Sequence, residues 1–237
     1  MYRESRASRR QLHPVKRFQR QGNACRLAEP ASVVGCDPAA NFVDCARRNL
    51  GDARQTFVVA GAGSLPRSAD RYGSVTSLLV LNFFPDPVVA IHEMRAVSAS
   101  PASVSACVWD YGEGMQFLRH FWNIAVDLDS GAAALDEGAR VAICRPDALI
   151  VTLNVGGRSD VRCEPIEIET RFASFEDFWL PFLAGTGPAP PYVATLEEDH
   201  RQRLAQQLAQ ALDFNSDGAF AMTARAWAVR GTACTTR

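Results

Sequence analysis

The chain has 237 residues, of which 47% are hydrophobic and 22% charged. That length suits one α/β domain, and the composition excludes wholesale disorder, a collagen-like repeat and a disulfide-built miniprotein. The formal net charge is only -1, which gives no global pull towards nucleic acid or anionic lipid.

The charge is unevenly spread. Residues 1–30 carry eight Lys and Arg against Glu4 and Glu29, and no sustained period of 2 or 3.6. They read as a solvated, poorly ordered arm. Phe18 and the terminal Tyr2 leave little to stack on bases, so no nucleic-acid partner is expected. The seven cysteines are an odd number, with no CxxC and no Cys/His spacing suited to a metal. Reduced thiols in a cytoplasmic protein, with no metal, are the simplest account. There is no long apolar run and no apolar leader, so neither a membrane partner nor a secretory signal is expected. The Arg-rich, acid-poor start resembles an organelle transit peptide in composition only.

From Ala31 the pattern changes. Val33 to Cys36 is a short apolar run ending at Asp37-Pro38 and predicts a buried strand. A helix follows from Ala39 to Leu50, stopped by Gly51. Thr56–Val59 and Val75–Leu81 read as further strands. Pro85-Asp86-Pro87 opens a helix to about Val97 whose Val88, Ile91, Met94 and Arg95 share one face. Ser103–Trp109 is a fourth strand. This alternation predicts one mainly parallel sheet with flanking helices. Beyond it come helices over Gly114–Asp127 and Asp147–Val155, and a strand over Arg162–Thr170. An aromatic stretch spans Phe172–Leu183, Leu196 to Leu212 share a helix face, and the last strand covers Ala219–Arg230. The organisation expected is an arm over 1–30, a domain over 31–231 and a tail over 232–237.

Asp37 is the most informative residue. A carboxylate at the C-terminal tip of a parallel strand faces the crevice where such sheets bind ligands, and it can accept from both hydroxyls of a ribose. An Asp before Pro also caps a helix well. Spacing alone does not separate the two readings.

Val33-Val34-Gly35-Cys36-Asp37-Pro38, Ala46-Arg47-Arg48, Leu65-Pro66, Ser77 to Phe83 with Asp86, and Glu93-Met94 follow one another in order. So do Val108 to Tyr111, Arg119 to Trp122, Leu135 to Gly138, Thr170 to Phe172, Trp179 to Leu183, Gly185 to Pro190 and Ala224 to Gly231. In this order and spacing the chain resembles the class I S-adenosylmethionine-dependent methyltransferases, in their type 11 branch, over about residues 31–231. The resemblance implies an α/β, Rossmann-like sheet of seven strands, S-adenosylmethionine as cofactor and a small-molecule acceptor. It places cofactor contacts at Asp37, Pro38, Gly61, Ala62, Ser77 and Leu78, with Asp37 on the ribose, and it assigns no catalytic residue.

The departures are specific. The family's first strand, central in the sheet, and its Gly-x-Gly-x-Gly turn have no counterpart in residues 1–30. Gly61 stands where an acid often binds the adenine amino group. Tyr72-Gly73 replaces a Phe-Asp, and Ser100-Pro101-Ala102 replaces a Pro-Gly-Gly turn. A reading-frame change or a mis-called start would leave such a join near residue 31, and Arg outnumbering Lys 24 to 1 fits a GC-rich gene. The alternative to a working methyltransferase is therefore a catalytically dead remnant or a structural partner of an intact one.

Other candidates weigh less. His92-Glu93 is not an HExxH pair, because residue 96 is Ala. His120 reads as a substrate-pocket base or as a structural histidine. Tyr111, Phe117, Trp122, Phe175, Phe178, Trp179 and Phe182 read as a lid or as core. Gly185-Thr186-Gly187 lacks the Lys-Ser/Thr of a phosphate loop and reads as a rigid turn.

Overall fold

The computed structural model describes residues 30–49, 51–69 and 71–233. The arm expected over 1–30 lies outside them except for Pro30. The chain divides into two compact units, Met1–Arg71 and Tyr72–Arg237.

In the first unit, β1 (Val33–Asp37) runs parallel to β2 (Gln55–Val59), paired from Val33–Gln55 through to Asp37–Val59. Between them lies α1 (Ala40–Asn49), and parallel neighbours require such a crossover. Val43 and Ala46, three residues apart on one helix face, are buried with Phe57 of β2, and Phe42 closes the edge. Arg47 in the last turn suits the negative end of the helix dipole. Its Nε and Nη2 donate to the Phe57 carbonyl at 3.0 and 2.6 Å, tying α1 to β2.

The second unit is built on β3 (Tyr72–Leu78), β4 (Ser98–Trp109), β5 (Arg158–Phe172) and β6 (Phe220–Ala233), in spatial order β3-β4-β6-β5. β3 pairs parallel with β4, whereas β6 runs antiparallel to both β4 and β5. Six described strands thus form two hydrogen-bonded sets rather than the expected single sheet, although the four strands read first do pair parallel, two by two. The described strands are a parallel pair and a mixed quartet, and the stretch before Pro30, where the family's first strand is expected, lies outside the described residues.

Element boundaries shift for local reasons. The strand expected over Val75–Leu81 ends at Leu78, because Leu79 takes φ 57° and gives its N–H to the Cys107 carbonyl at 2.7 Å. A short 3₁₀ turn, Leu81–Phe83, follows. The helix α2 (Pro87–Val97) starts as read, since the Asp86 carboxylate accepts the Val88 and Val89 N–H groups at 2.9 and 3.3 Å. It buries Ala90, Ile91, Met94 and Val97, but Arg95 of the expected apolar face is exposed. β6 extends through Ala233, two residues into the expected tail; the rest of that tail lies outside the described residues.

Helices cover the quartet. They are α3 (Gln116–Leu128), the single turn α4 (Glu137–Arg140), α5 (Pro146–Val155), α6 (Phe175–Ala184), α7 (Ala189–Thr195) and α8 (Glu198–Gln210). Leu204 and Leu208 share the buried face of α8, while Leu196 lies just before that helix, so the stripe read from Leu196 to Leu212 spans more than one element. Trp122, Phe178 and Phe182 are buried with Phe121, Tyr192, Phe220 and Met222 in the main core, and the Phe121 and Phe182 rings stack at 4.4 Å. The aromatic residues are therefore core, with Tyr111, Phe117, Phe175 and Trp179 half-buried at its edge.

Candidate active site

In the first unit, Asp37 ends β1 and is 8% exposed. One carboxylate oxygen accepts the Ala39 N–H at 2.8 Å, an Asx turn that leads into α1. This bond is not the helix cap expected of an Asp-Pro pair: α1 starts at Ala40, and Asp37 holds the N–H of the residue before it rather than one in the first helical turn. Pro38 is exposed beside it. The Asp37 carbonyl accepts the Ala60 N–H at 3.2 Å, which holds the end of β1 against the residues after β2. Gly61 and Ala62 follow in a turn closed by Ser64 N–H to the Gly61 carbonyl at 3.1 Å. A Cβ at Gly61 would meet no atom within 4 Å, so open space surrounds it. The structure brings Asp37, Pro38, Gly61 and Ala62 to one end of the β1–β2 pair.

Ser77 and Leu78 belong to the second unit, at the C-terminal tip of β3, opposite Ala106 and Cys107 of β4. The Ser77 hydroxyl is buried and makes no hydrogen bond among the described residues. A buried hydroxyl without a partner carries a desolvation cost.

The C-terminal tip of β4 carries groups that the sequence reading did not single out. Asp110 is 4% exposed. Its Oδ2 accepts from Nε of Arg225 at 2.7 Å and is ion-paired with Nη2 at 2.7 Å, and its Oδ1 accepts the Glu113 N–H at 3.1 Å. The Arg225 guanidinium lies 5.0 Å over the Trp227 ring, and the bond to Asp110 raises its pKa further. Gly114 is required here, since a Cβ would fall 2.4 Å from Cβ of Arg225.

A second polar group lies under α3. Arg119 grips Asp136 through both terminal nitrogens, and Asp136 in turn caps α4 by accepting the Gly138 N–H at 2.8 Å. Glu137, next in sequence, accepts from Trp122 Nε1 at 2.6 Å. Burial pushes its carboxyl up from the ordinary glutamate value, more than the hydrogen bonds pull it down. Such a carboxyl is a better proton acceptor than an exposed one. Leu135-Asp136-Glu137-Gly138 was legible only as a family word; no periodicity marks it.

His92 is exposed on α2 and His120 is half-buried on α3. Among the described residues no three His, Cys, Asp or Glu side chains group as a metal site. Gly187, at φ +103°, sits in a turn leading into α7.

This fold is shared with known proteins. A methyltransferase from Bacillus halodurans superposes with a TM-score of 0.51 at 13% identity, covering 92% of this chain and 98% of that one. The YcgJ protein of Bacillus subtilis gives 0.50 at 13% identity, covering 86% and 82%. A Haemonchus contortus phosphoethanolamine N-methyltransferase, solved with S-adenosyl-L-methionine, gives 0.51 at 13% identity over 91% of this chain and 46% of its own. The α/β fold is therefore that of the Rossmann-like methyltransferases. Residues 20–100 match the methyltransferase domain family, so the resemblance to the class I S-adenosylmethionine-dependent methyltransferases read from the sequence holds in both comparisons. No curated protein sequence matches the chain.

Proposed function

We propose that this chain is an S-adenosylmethionine-dependent methyltransferase-type protein for a small organic acceptor, and that it holds its cofactor weakly. Asp37 carries the reading. It is a buried carboxylate at the C-terminal tip of a parallel strand, beside the open turn at Gly61 and Ala62. These residues fit the ribose and adenine of the cofactor. Asp37 accepts from the ribose hydroxyls, Pro38 flanks them, and Gly61 and Ala62 leave room for the base. When bound, the cofactor supplies an electrophilic methyl sulfonium. The chain's own part is placement and exclusion of water, for which no single catalytic residue is required. Residues 31–231 act as one methyltransferase domain in this reading. A cytoplasmic setting goes with this reading, supported by seven scattered cysteines without CxxC spacing. Among the described residues no helix is long and apolar enough to cross a membrane.

The second reading is a catalytically dead remnant or a structural partner of an intact enzyme, favoured by the missing glycine turn. A charge-assisted hydrogen bond is worth ~1.5–3 kcal/mol, so losing the contacts of that turn and of an adenine-binding acid weakens binding by ~3–6 kcal/mol, two to four decades. Isothermal titration of the full chain should show a Kd no tighter than about 100 μM. Asp37→Ala should weaken it further, while Asp37→Asn keeps the turn to Ala39. Low-micromolar affinity would exclude the remnant, and affinity unchanged in Asp37→Ala would leave Asp37 only its turn to Ala39.

A further inference from the structure

The start of β5 holds a positive charge without a counter-charge among the described residues. Arg158 is 5% exposed, and its Nε and Nη1 are buried with no hydrogen-bond partner. It faces Ala233 in the β5–β6 register, and its stem lies over Gly231, where a Cβ would come within 2.8 Å of the Arg158 Cβ. A glycine is needed there for the arginine to sit down against the sheet.

A second cation converges on the same place. Arg95, in the last turn of α2, is exposed, and its Nη1 reaches within 2.8 Å of where a Cβ would stand at Gly157, a residue at φ +77°. Burial first, and the Arg95 charge second, hold the Arg158 guanidinium below its ordinary pKa. A carboxylate on the same strand, Asp160, accepts from Thr232 Oγ1 at 3.4 Å and bonds neither arginine. A buried guanidinium beside a like charge is expensive unless an anion joins them.

We propose that Arg95 and Arg158 form a binding site for a small phosphate-type oxyanion, free or as the terminal phosphoryl of a metabolite. A dianion neutralises both side chains, whereas one carboxylate neutralises one. Guanidinium forks match phosphoryl oxygens in geometry, and the orphaned Nε and Nη1 are the donors such a group takes. The site lies at the end of the quartet where Ser103, Thr232 and Ser159 are aligned, away from the tips of β3 and β4 at Leu78 and Trp109. It is independent of the methyltransferase reading.

The test is thermal melting of the full chain with inorganic phosphate or methyl phosphate, ionic strength being held constant with sodium chloride. Either anion should raise Tm saturably, and Arg95→Met should weaken the apparent affinity about tenfold, as for loss of one charge-assisted contact. Arg158→Met should abolish the response and still fold, since it replaces an unpaired buried charge with an apolar chain of similar length. Arg158→Lys should keep a reduced response. A stronger effect of inorganic phosphate marks the free ion as ligand, and a stronger effect of methyl phosphate marks a phosphorylated metabolite. No response to either anion beyond that to chloride, or a response retained in Arg158→Met, overturns the proposal.

Discussion

Arg225→Met should be among the most damaging single changes in the second unit. The substitution keeps most of the apolar stem but removes the guanidinium that bonds Asp110 through two nitrogens at 2.7 Å. Asp110, whose side chain is 6% exposed, is then left with the Glu113 N–H at 3.1 Å. Breaking a fully buried pair from one side costs ~3–5 kcal/mol. Arg225 is 23% exposed, so solvent screens part of the interaction and about 2–4 kcal/mol remains. Loss of the cation over Trp227 adds ~0.5–1 kcal/mol. Taking about 3 kcal/mol and a urea slope of roughly 2–3 kcal/mol/M, the unfolding midpoint should fall by about 1–1.5 M at unchanged slope. Asp110→Asn combined with Arg225→Met should recover at least ~1 kcal/mol relative to the sum of the single losses, because the two groups are in contact. A midpoint shift below about 0.3 M, or strict additivity in the double variant, would refute the claim that this pair organises the tip of β4.

Glu137→Gln should flatten the acid side of the stability profile. The native Glu137 carboxyl titrates above its unfolded value, so the native state holds the extra proton in that interval and stability falls as pH rises through it. Melting curves from about pH 4 to pH 7 should show a smaller decline in the variant, and an unchanged decline would count against the burial argument. Burial pushes the thiol of Cys144 up to about 12, so iodoacetamide at about pH 8 should leave it unmodified in the folded chain and label it in urea, as peptide mass spectrometry would read. Phe182→Ala removes a ring stacked on Phe121 at 4.4 Å in the main core, and should cost ~3–5 kcal/mol in the same urea assay.

How much of this was legible depended on whether the signal was local. The strand ending at Asp37 and the helix opened by Pro85-Asp86-Pro87 are written in adjacent residues, and both stand where the sequence put them. The end of β3 was misread because Leu79 to Leu81 continues an apolar run, and hydrophobicity does not record that Leu79 turns to positive φ. The Asp110–Arg225 pair joins residues 115 apart, so neither has a neighbour that announces it. Arg158 escaped notice because β5 was read as starting at Arg162, and because a buried unpaired arginine has no sequence pattern. The division of the described strands into a pair and a quartet has no signature in hydrophobic runs, which mark strands but not which of them pair.

The position of β6 has a consequence for biogenesis. It is the last of the described strands to be synthesised, yet it lies between β4 and β5, pairing Ser103 with Thr232 and Phe172 with Phe220. Until residues beyond 220 leave the ribosome, β4 and β5 lack their common neighbour and expose open edges. Such late, long-range pairing makes folding slow and leaves sticky intermediates. The nascent chain is thus a natural client for chaperones that shield strand edges, and nonsense mutations before Phe220 would yield aggregates rather than shortened folded proteins.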